Sequence, residues 1–569
     1  MNYDIEFKNV SFQYEGAQNF ALENINLNIA QGEIVLLTGP AGSGKTTLCS
    51  CINGLVPHYH EGKLSGEVLV RGYNTRRARI GGLASLVGMV FQDPESQLVT
   101  SSVVDEVAFG PENLGVPRPE IDRRVAEALR YTRLVGYDER EPHNLSGGEQ
   151  QACVIAAIYA MQPEIYVMDE PLANLDPEGR KQVLKVVVEV AKQRGRTLLL
   201  VEHSLEEVLP LVDRVILLDR GKIVRDGPVA EVLSAGDIAN VFTRPPIIRL
   251  AESLHLQPPP LEPLSFRAAL TSCYQLKKRP AQTLSLPQPR QSQPVIQLED
   301  VCFSYDQRNF ALHEVNLTIS QGELVAILGR NGSGKTTLVR HIIGLLQPDS
   351  GKVTVLGKDV SITPTHQLAK DVGFCFQNPN HQIVSFTVRD EMVFGLKAHN
   401  IDPAQHEAAI QEALEFVDML GYIESEVFDL GKGQKQRLAL ASVLTLKPSI
   451  LIIDEPTTGQ DPRMAEEIFK IIKRLNENGT TVLMITHKID YAAEYAERAI
   501  VMQYGRVAYD GPMQPLLADE DLLRENSLDL PDTTRLATSL REYGIPPWLV
   551  SYEDLEKSLH ELVEAENGN

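Results

Sequence analysis

The sequence predicts an α/β chain of two tandem domains of one kind, each built on a mainly parallel sheet. Three observations predict it. A glycine-rich motif closing on Lys-Thr occurs twice, as Gly39-Pro40-Ala41-Gly42-Ser43-Gly44-Lys45-Thr46 and Gly329-Arg330-Asn331-Gly332-Ser333-Gly334-Lys335-Thr336. Each copy follows a short apolar run, EIVLLT or ELVAIL, and precedes a stretch suited to a helix. The flanking segments recur in the same order, so that Lys335 repeats Lys45 after 290 residues.

Strand, glycine loop and helix form the arrangement that phosphate binding needs, and both copies fit G-x-x-x-x-G-K-[ST]. Gly39, Gly42, Gly44, Gly329, Gly332 and Gly334 let backbone N–H groups turn toward phosphate oxygens, with Ser43, Asn331 and Ser333 in the same cradle. The helix N-terminus adds a favourable dipole, and Thr47 and Thr337 lie in that first turn. Lys45 and Lys335 can reach the β- and γ-phosphates. The Thr46 and Thr336 hydroxyls can ligate Mg²⁺.

At 569 residues the chain is too long for one ordinary core and fits two domains. Lys+Arg of 54 against Asp+Glu of 76 leaves a formal charge of −22, which argues against nucleic acid as the main partner. The six cysteines form no C-x-x-C pair, so zinc and iron–sulfur sites lack support and a cytosolic location is expected. The start, MNYDIEFKNV, lacks a signal-peptide pattern. Apolar runs such as RTLLLVEH fall far short of the ~20 residues that cross a bilayer. Work at a membrane then requires another subunit to do the spanning.

The elements follow in order. IEFKNVSFQYEGAQNFALENINLNIAQGE and IQLEDVCFSYDQRNFALHEVNLTISQGE alternate with period two, as antiparallel strands do. After the glycine loops come VGMVFQDPESQLVTSSVVDEVAFGPENLG and VGFCFQNPNHQIVSFTVRDEMVFGLK. Helical stretches follow, with Ile121, Val125, Ala128 and Leu129 on one face, and Ile410, Ala413, Leu414 and Val417 in the second copy. LSGGEQQACVIAA and LGKGQKQRLALAS read as glycine turns opening apolar helices. EIYVMDEP and ILIIDEP read as strands ending in paired acids. RTLLLVEH and TTVLMITH read as strands ending in histidine. A strand pair closes each copy. Homologous tails begin at Arg249 and Arg535, and KKRPAQTLSLPQPRQSQP, rich in Pro, Gln and Ser, reads as an extended linker. The expected division is 1–242 for the first domain, 243–294 for its tail and the linker, 295–526 for the second domain, and 527–569 for the last tail.

Asp169 and Asp454 end strands on the edge that carries the glycine loops, where an acid can hold Mg²⁺ through water. Glu170 and Glu455 beside them can orient or deprotonate the attacking water. A DE pair by itself is a common acidic turn; four preceding apolar residues in both copies favour the chemistry. His203 lies 34 residues after Asp169, and His487 lies 33 after Asp454. A lone histidine after a strand is more often structural, but this near-equality favours a γ-phosphate contact. Gln92 and Gln377 suit a contact to Mg²⁺ or to the water, or else a turn before Pro. Tyr14 and Tyr305 suit stacking on adenine, or else a half-buried strand. In LSGGE, Ser146 with the N–H groups of Gly147 and Gly148 makes an anion site at a helix start. A further anion site has a use if it closes over a nucleotide held by the other half.

Glycine loop, Q-loop, LSGGE, DEP and histidine in this order resemble an ABC-type ATPase, over nearly the whole chain and twice. The segments after Gln92 and Gln377 resemble the ATPases of energy-coupling factor (ECF) vitamin and metal importers, in a fused double-length form. The resemblance implies two tandem P-loop NTPase domains, each with a RecA-like core, a small antiparallel sheet and a helical subdomain, pairing head-to-tail. It implies ATP and Mg²⁺ as ligands, a membrane coupling protein and a small substrate-capturing membrane protein as partners, and a place on the cytoplasmic face of the membrane. Arginines on the coupling protein would meet at least one of Asp105-Glu106 and of Asp390-Glu391. The alternative is a soluble tandem ABC ATPase acting on ribosomes or nucleic acid; a basic chain, a long charged arm or metal-binding inserts would mark it, and none is present. A sugar-importer ATPase is a closer rival. The second signature departs from the pattern: Gly431 stands for the serine and Lys432 for the next glycine, before Gly433. Thr458-Gly459-Gln460-Asp461 differs from Ala173-Asn174-Leu175-Asp176. Two unequal ATP sites are expected.

Overall fold

The computed structural model describes residues 3–145, 147–172, 175, 177–203, 205–233, 244–280, 292–305, 310–457, 460 and 462–564. The chain divides into two compact units, Met1–Phe266 and Arg267–Asn569. That division falls inside the stretch assigned above to tail and linker.

In the first unit the run before the glycine loop forms the strand Ile34–Thr38, buried along its whole length. It lies within a six-stranded sheet ordered Lys222–Pro228, Arg214–Asp219, Ile34–Thr38, Thr197–Val201, Ile165–Asp169, Val87–Val90. All neighbours are parallel except the outer pair Arg214–Asp219 and Lys222–Pro228. Side chains alternate between two cores. Ile34, Leu36, Tyr166, Met168, Leu198 and Leu200 enter one, shared with the helical insert. Val35, Leu37, Ile165, Val167, Leu199 and Val201 enter the other, shared with the small sheet. A parallel sheet covered on both faces therefore reads as unbroken apolar runs.

The small sheet is antiparallel, in the order Leu22–Ala30, Tyr3–Tyr14, Gly62–Val70, Tyr73–Asn74. Its NINLNI stretch buries Ile25, Leu27 and Ile29 and turns the asparagines outward. The insert holds the helices Val103–Asn113, Arg118–Tyr131 and Gly147–Met161; Ile121, Val125, Ala128 and Leu129 bury the expected face.

The second unit repeats the plan. Its small sheet runs Phe310–Ser320, Pro294–Ser304, Ser350–Val355, Lys358–Asp359, and its large one Val372–Cys375, Ile450–Asp454, Thr481–Ile485, Leu324–Leu328, Arg498–Gln503, Arg506–Pro512. The insert helices are Val388–Ala398, Pro403–Phe416 and Lys432–Leu444. Ile410, Ala413, Leu414 and Val417 are buried. The two tail helices Pro246–Ser253 and Asp532–Ser539 bury Leu250 and Leu536 at matching places. Cys49, Cys51, Cys153 and Cys375 are buried as small core residues. Among the described residues no helix is long and apolar enough to cross a membrane.

The sheet order positions the chemistry. In each unit the glycine loop, Q-loop, acid pair and histidine all follow the carboxyl ends of parallel strands, the edge where α/β sheets bind ligands. The strand leading to histidine lies between the strands leading to the glycine loop and to the acids.

Candidate active site

Two glycines of each loop have no substitute. A Cβ on Gly39 would lie 1.9 Å from the Leu218 carbonyl oxygen, and one on Gly44, at φ +104°, would lie 2.3 Å from that of Ala21. Gly329 and Gly334 meet Met502 and Ala311 in the same way. Lys45 Nζ donates to the carbonyls of Gly39 and Pro40, both at 2.9 Å; Lys335 Nζ donates to Gly329 at 2.7 Å and Arg330 at 2.8 Å. Ser43 Oγ and Ser333 Oγ are buried in the loops with no protein partner among the described residues. A phosphate oxygen would satisfy them, so the loops fit the ligand the sequence implies.

Asp169 and Asp454 are buried at the strand ends. Burial, and then the neighbouring Glu170 charge, push the Asp169 carboxyl above its usual range, against a hydrogen bond from Thr46. Burial and the Glu455 charge push Asp454 up to about 7. A divalent cation would return such acids to their charged form, and the Thr46–Asp169 contact fits one. Thr336 lies at the equivalent place in the second unit.

Glu170 and Glu455 both take left-handed backbone conformations, with φ of +51° and +46°. Each first extends the sheet by one bond, its amide donating to Val201 or Ile485. Both copies hold this conformation on the acid at the ligand edge. Glu170 Oε2 accepts from Gln92 Nε2 at 2.6 Å, and its Oε1 lies 2.9 Å from His203 Nε2. Glu455 Oε1 pairs with His487 Nδ1 at 2.8 Å. Burial pushes the Glu455 carboxyl up, but the His487 charge and hydrogen bond, with Lys335 and Lys488, outweigh it and hold it below its ordinary value. His487 Nε2 is buried without a protein partner among the described residues.

Gln377 departs from the symmetry: it is exposed and makes no side-chain hydrogen bond among the described residues. Tyr14 and Tyr305 each reach a threonine of the glycine-loop helix, Thr47 at 3.0 Å and Thr337 at 3.3 Å. Gly147 and Lys432 open their helices, as expected. The Gly431 N–H donates to Gln434 Oε1, and Gly433 packs where a Cβ would meet Met464. Ser146, Ala173, Asn174, Asp176, Thr458, Gly459 and Asp461 lie outside the described residues.

Burial divides each of the two acid pairs into one buried and one exposed carboxylate. Glu106 is buried and accepts from the Val99 and Thr100 amides at 3.0 and 2.8 Å. Glu391 is buried and accepts from the Val384 and Ser385 amides. These carboxylates fasten the segments after Gln92 and Gln377. Asp105 and Asp390 remain exposed, each bonded to the hydroxyl that caps its helix.

The sequence reading passed over Glu202, which is buried one residue before His203 and accepts from the Leu172 amide at 3.0 Å. Its signal was an acid closing an apolar strand where the other copy has Thr486. It also passed over Gln97 and Gln382, whose side chains close the Q-loops by accepting from the Phe91 and Phe376 amides.

The ABC transporter family model matches residues 22–173 and 312–458. A protein of Methanosarcina acetivorans named "Putative ABC transporter ATP-binding protein" is 39% identical over 575 residues, covering 98% of this chain and 93% of its own. One of the same description from Caldanaerobacter subterraneus subsp. tengcongensis is 38% identical over 549 residues, covering 94% and 96%. A solved structure of cbiO1 from Clostridium perfringens, described as part of the ABC transporter complex cbiONQ, is 32% identical. That match covers 42% of this chain and 96% of cbiO1, at a TM-score of 0.38, too low for an argument from shape.

Proposed function

The chain belongs to the ABC transporter family, and on that premise we propose that it is the ATP-hydrolysing motor of an ECF-type importer. It couples hydrolysis to uptake of a vitamin, vitamin precursor or metal ion through separate membrane subunits, from the cytoplasmic face. The observation that carries the motor role is the convergence, in each unit, of glycine loop, buried acid pair and histidine on one sheet edge. The finer assignment rests on the FQDPESQ and AFGPENLG segment and its second copy.

In the head-to-tail pairing that the family resemblance implies, each ATP would lie between the glycine loop of one half and the signature of the other. Thr46, Gln92 and Asp169, and Thr336, Gln377 and Asp454, would hold Mg²⁺, which neutralises phosphate charge when bound. Lys45 and Lys335 leave their loop carbonyls for the β- and γ-phosphates. Glu170 and Glu455 orient the attacking water and take its proton. His203 and His487 donate to the γ-phosphate as charge builds there. Ser146, Gly147 and Gly148, and Gly431, Lys432 and Gly433, close over the phosphate from the opposite side.

The coupling protein docks beside the Q-loops, where Val99 and Phe109, and Val384, Phe386 and Phe394, stand exposed next to Asp105 and Asp390. Affinity purification of the full chain from its own membranes tests the assignment. The expected companions are one multispanning protein and one small membrane protein, which together raise the ATPase rate. Recovery with ribosomes or nucleic acid instead would overturn it.

A further inference from the structure

The first half carries five residues more than the second between the glycine-loop helix and the next strand: Gly54 to Gly66 spans what Gly344 to Gly351 spans. The extra residues lengthen a strand pair. Gly62 and Lys63 pair with Tyr14 and Gln13, and the Glu15 amide donates to the Glu61 carbonyl at 3.2 Å. In the second half the pairing stops at Cys302 opposite Ser350.

Two residues before the strand Gly62–Val70, in a turn where its amide donates to the Leu55 carbonyl at 3.0 Å, His60 lies against Tyr14, with ring centroids 6.1 Å apart and planes at 78°. His60 packs in turn against Tyr59 at 5.3 Å, and Tyr59 is 74% exposed. Tyr14 is fixed from below, by Thr47 at its hydroxyl and by Phe12 at 4.8 Å. Tyr305 has the matching supports in Thr337 and Phe303. Phe303 is its only ring neighbour among the described residues, the Arg340 guanidinium lies 3.5 Å from its hydroxyl, and it is 59% exposed.

We propose that His60 is a second ring contact for the nucleotide base in the first ATP site, one that the second site lacks. This rests on the reading that the base stacks on Tyr14. A ring standing edge-on beside Tyr14, in the turn that leads into a strand paired with Tyr14's own, is held beside the place of a flat partner before binding. Its imidazole nitrogens can also hydrogen-bond a base edge. The first site then holds ATP more tightly than the second through its base, independently of the phosphates.

Competition binding on the full-length chain tests this in a Lys335→Ala background, which leaves the first site to report. The competitors are ATP and inorganic tripolyphosphate, which has phosphates and no base. His60→Ala is expected to weaken ATP by roughly three- to tenfold, the range of one aromatic contact, and to leave tripolyphosphate unchanged. Unchanged or tighter ATP binding would overturn the proposal. Equal weakening of both competitors would also overturn it, by showing that His60 only supports the glycine loop. Tyr14→Ala separates the underlying reading: if it leaves ATP affinity intact, the base does not stack there. If Tyr14→Ala weakens ATP and His60→Ala does not, only the role of His60 fails.

Discussion

Gln92 donates to Glu170 at 2.6 Å, whereas the equivalent Gln377 stands exposed, although both glutamates pair with their histidine, Glu170 with His203 and Glu455 with His487. The two halves thus hold the same glutamate differently. With His203 at its other oxygen, Glu170 has both carboxylate oxygens engaged. Glu455 keeps a depressed carboxyl, so it stays charged as a base must, and its second oxygen lies 3.5 Å from the Thr486 hydroxyl. A carboxylate with a less committed oxygen is freer to take a proton from water.

The glycine loops should separate strain from collision. Gly44→Ala combines φ +104° with a Cβ 2.3 Å from a backbone oxygen, and it is expected to destabilise the first unit by more than ~1–3 kcal/mol and abolish its nucleotide binding. Gly42→Ala has φ +75° but meets no atom within 4 Å, so only the backbone cost of about 1–2 kcal/mol applies. Thermal melts of the two variants check the order.

Glu202 should give the stability of the first half a pH slope. Burial, and then the Glu170 charge, push its carboxyl up to about 8, against Arg180 and the amides of Leu172 and His203. The unfolded chain releases this proton near pH 4.3. Between there and pH 8 the folded state binds the extra proton, so stability falls as pH rises, by up to about 1.4 kcal/mol per unit, and levels off above pH 8. Glu202→Gln keeps an acceptor for the Leu172 amide and removes the titration. Its melting temperature is expected to fall less than that of the wild type between pH 5 and 8. Parallel pH curves would show that Glu202 is not protonated in the fold.

The acids after the Q-loop should divide by burial. Glu106→Ala and Glu391→Ala each strand two amides, and each is expected to cost about 1–3 kcal/mol of stability. Asp105→Arg and Asp390→Arg alter exposed positions, and together they are expected to release the membrane partner while ATP binding persists. Undiminished co-purification of the double variant would remove these two acids from the docking surface.

What the sequence revealed was local or repeated. The glycine loops, the buried strands and the apolar helix faces each depend on residues within a few positions, and the second copy doubled every signal. The contacts that were missed bridge turns whose geometry no residue type announces, six or seven residues apart for Glu106 and Gln97 and 30 for Glu202. Nothing near Glu106 announces that its carboxylate ties down Val99 and Thr100, since an acid in a first helical turn already suits the dipole. The positive φ of Glu170 and Glu455 depends on how the sheet edge releases the chain, which no residue type there encodes. Gln97 resembles any polar loop residue until the strand before it places the Phe91 amide within reach.

The two ATP sites should turn over unequally, and the productive one should belong to the second glycine loop. In the proposed head-to-tail pair Lys335, Thr336, Gln377, Asp454, Glu455 and His487 would face Ser146, Gly147 and Gly148, a set in which every residue type of the pattern is present. The opposite site would join Lys45, Thr46, Gln92, Asp169, Glu170 and His203 to Gly431, Lys432 and Gly433, and its signature has no serine hydroxyl. Losing one donor to a developing oxyanion costs roughly 10²–10³ in rate. The engaged oxygens of Glu170 act in the same direction. Glu455→Gln is therefore expected to remove nearly all steady-state hydrolysis by the complex with its membrane partner, and Glu170→Gln to leave measurable turnover. Lys45→Ala should still slow the complex, because ATP at the poorer site remains part of the closed interface. Equal losses in the two glutamine variants, or the larger loss in Glu170→Gln, would place the working site with the first glycine loop.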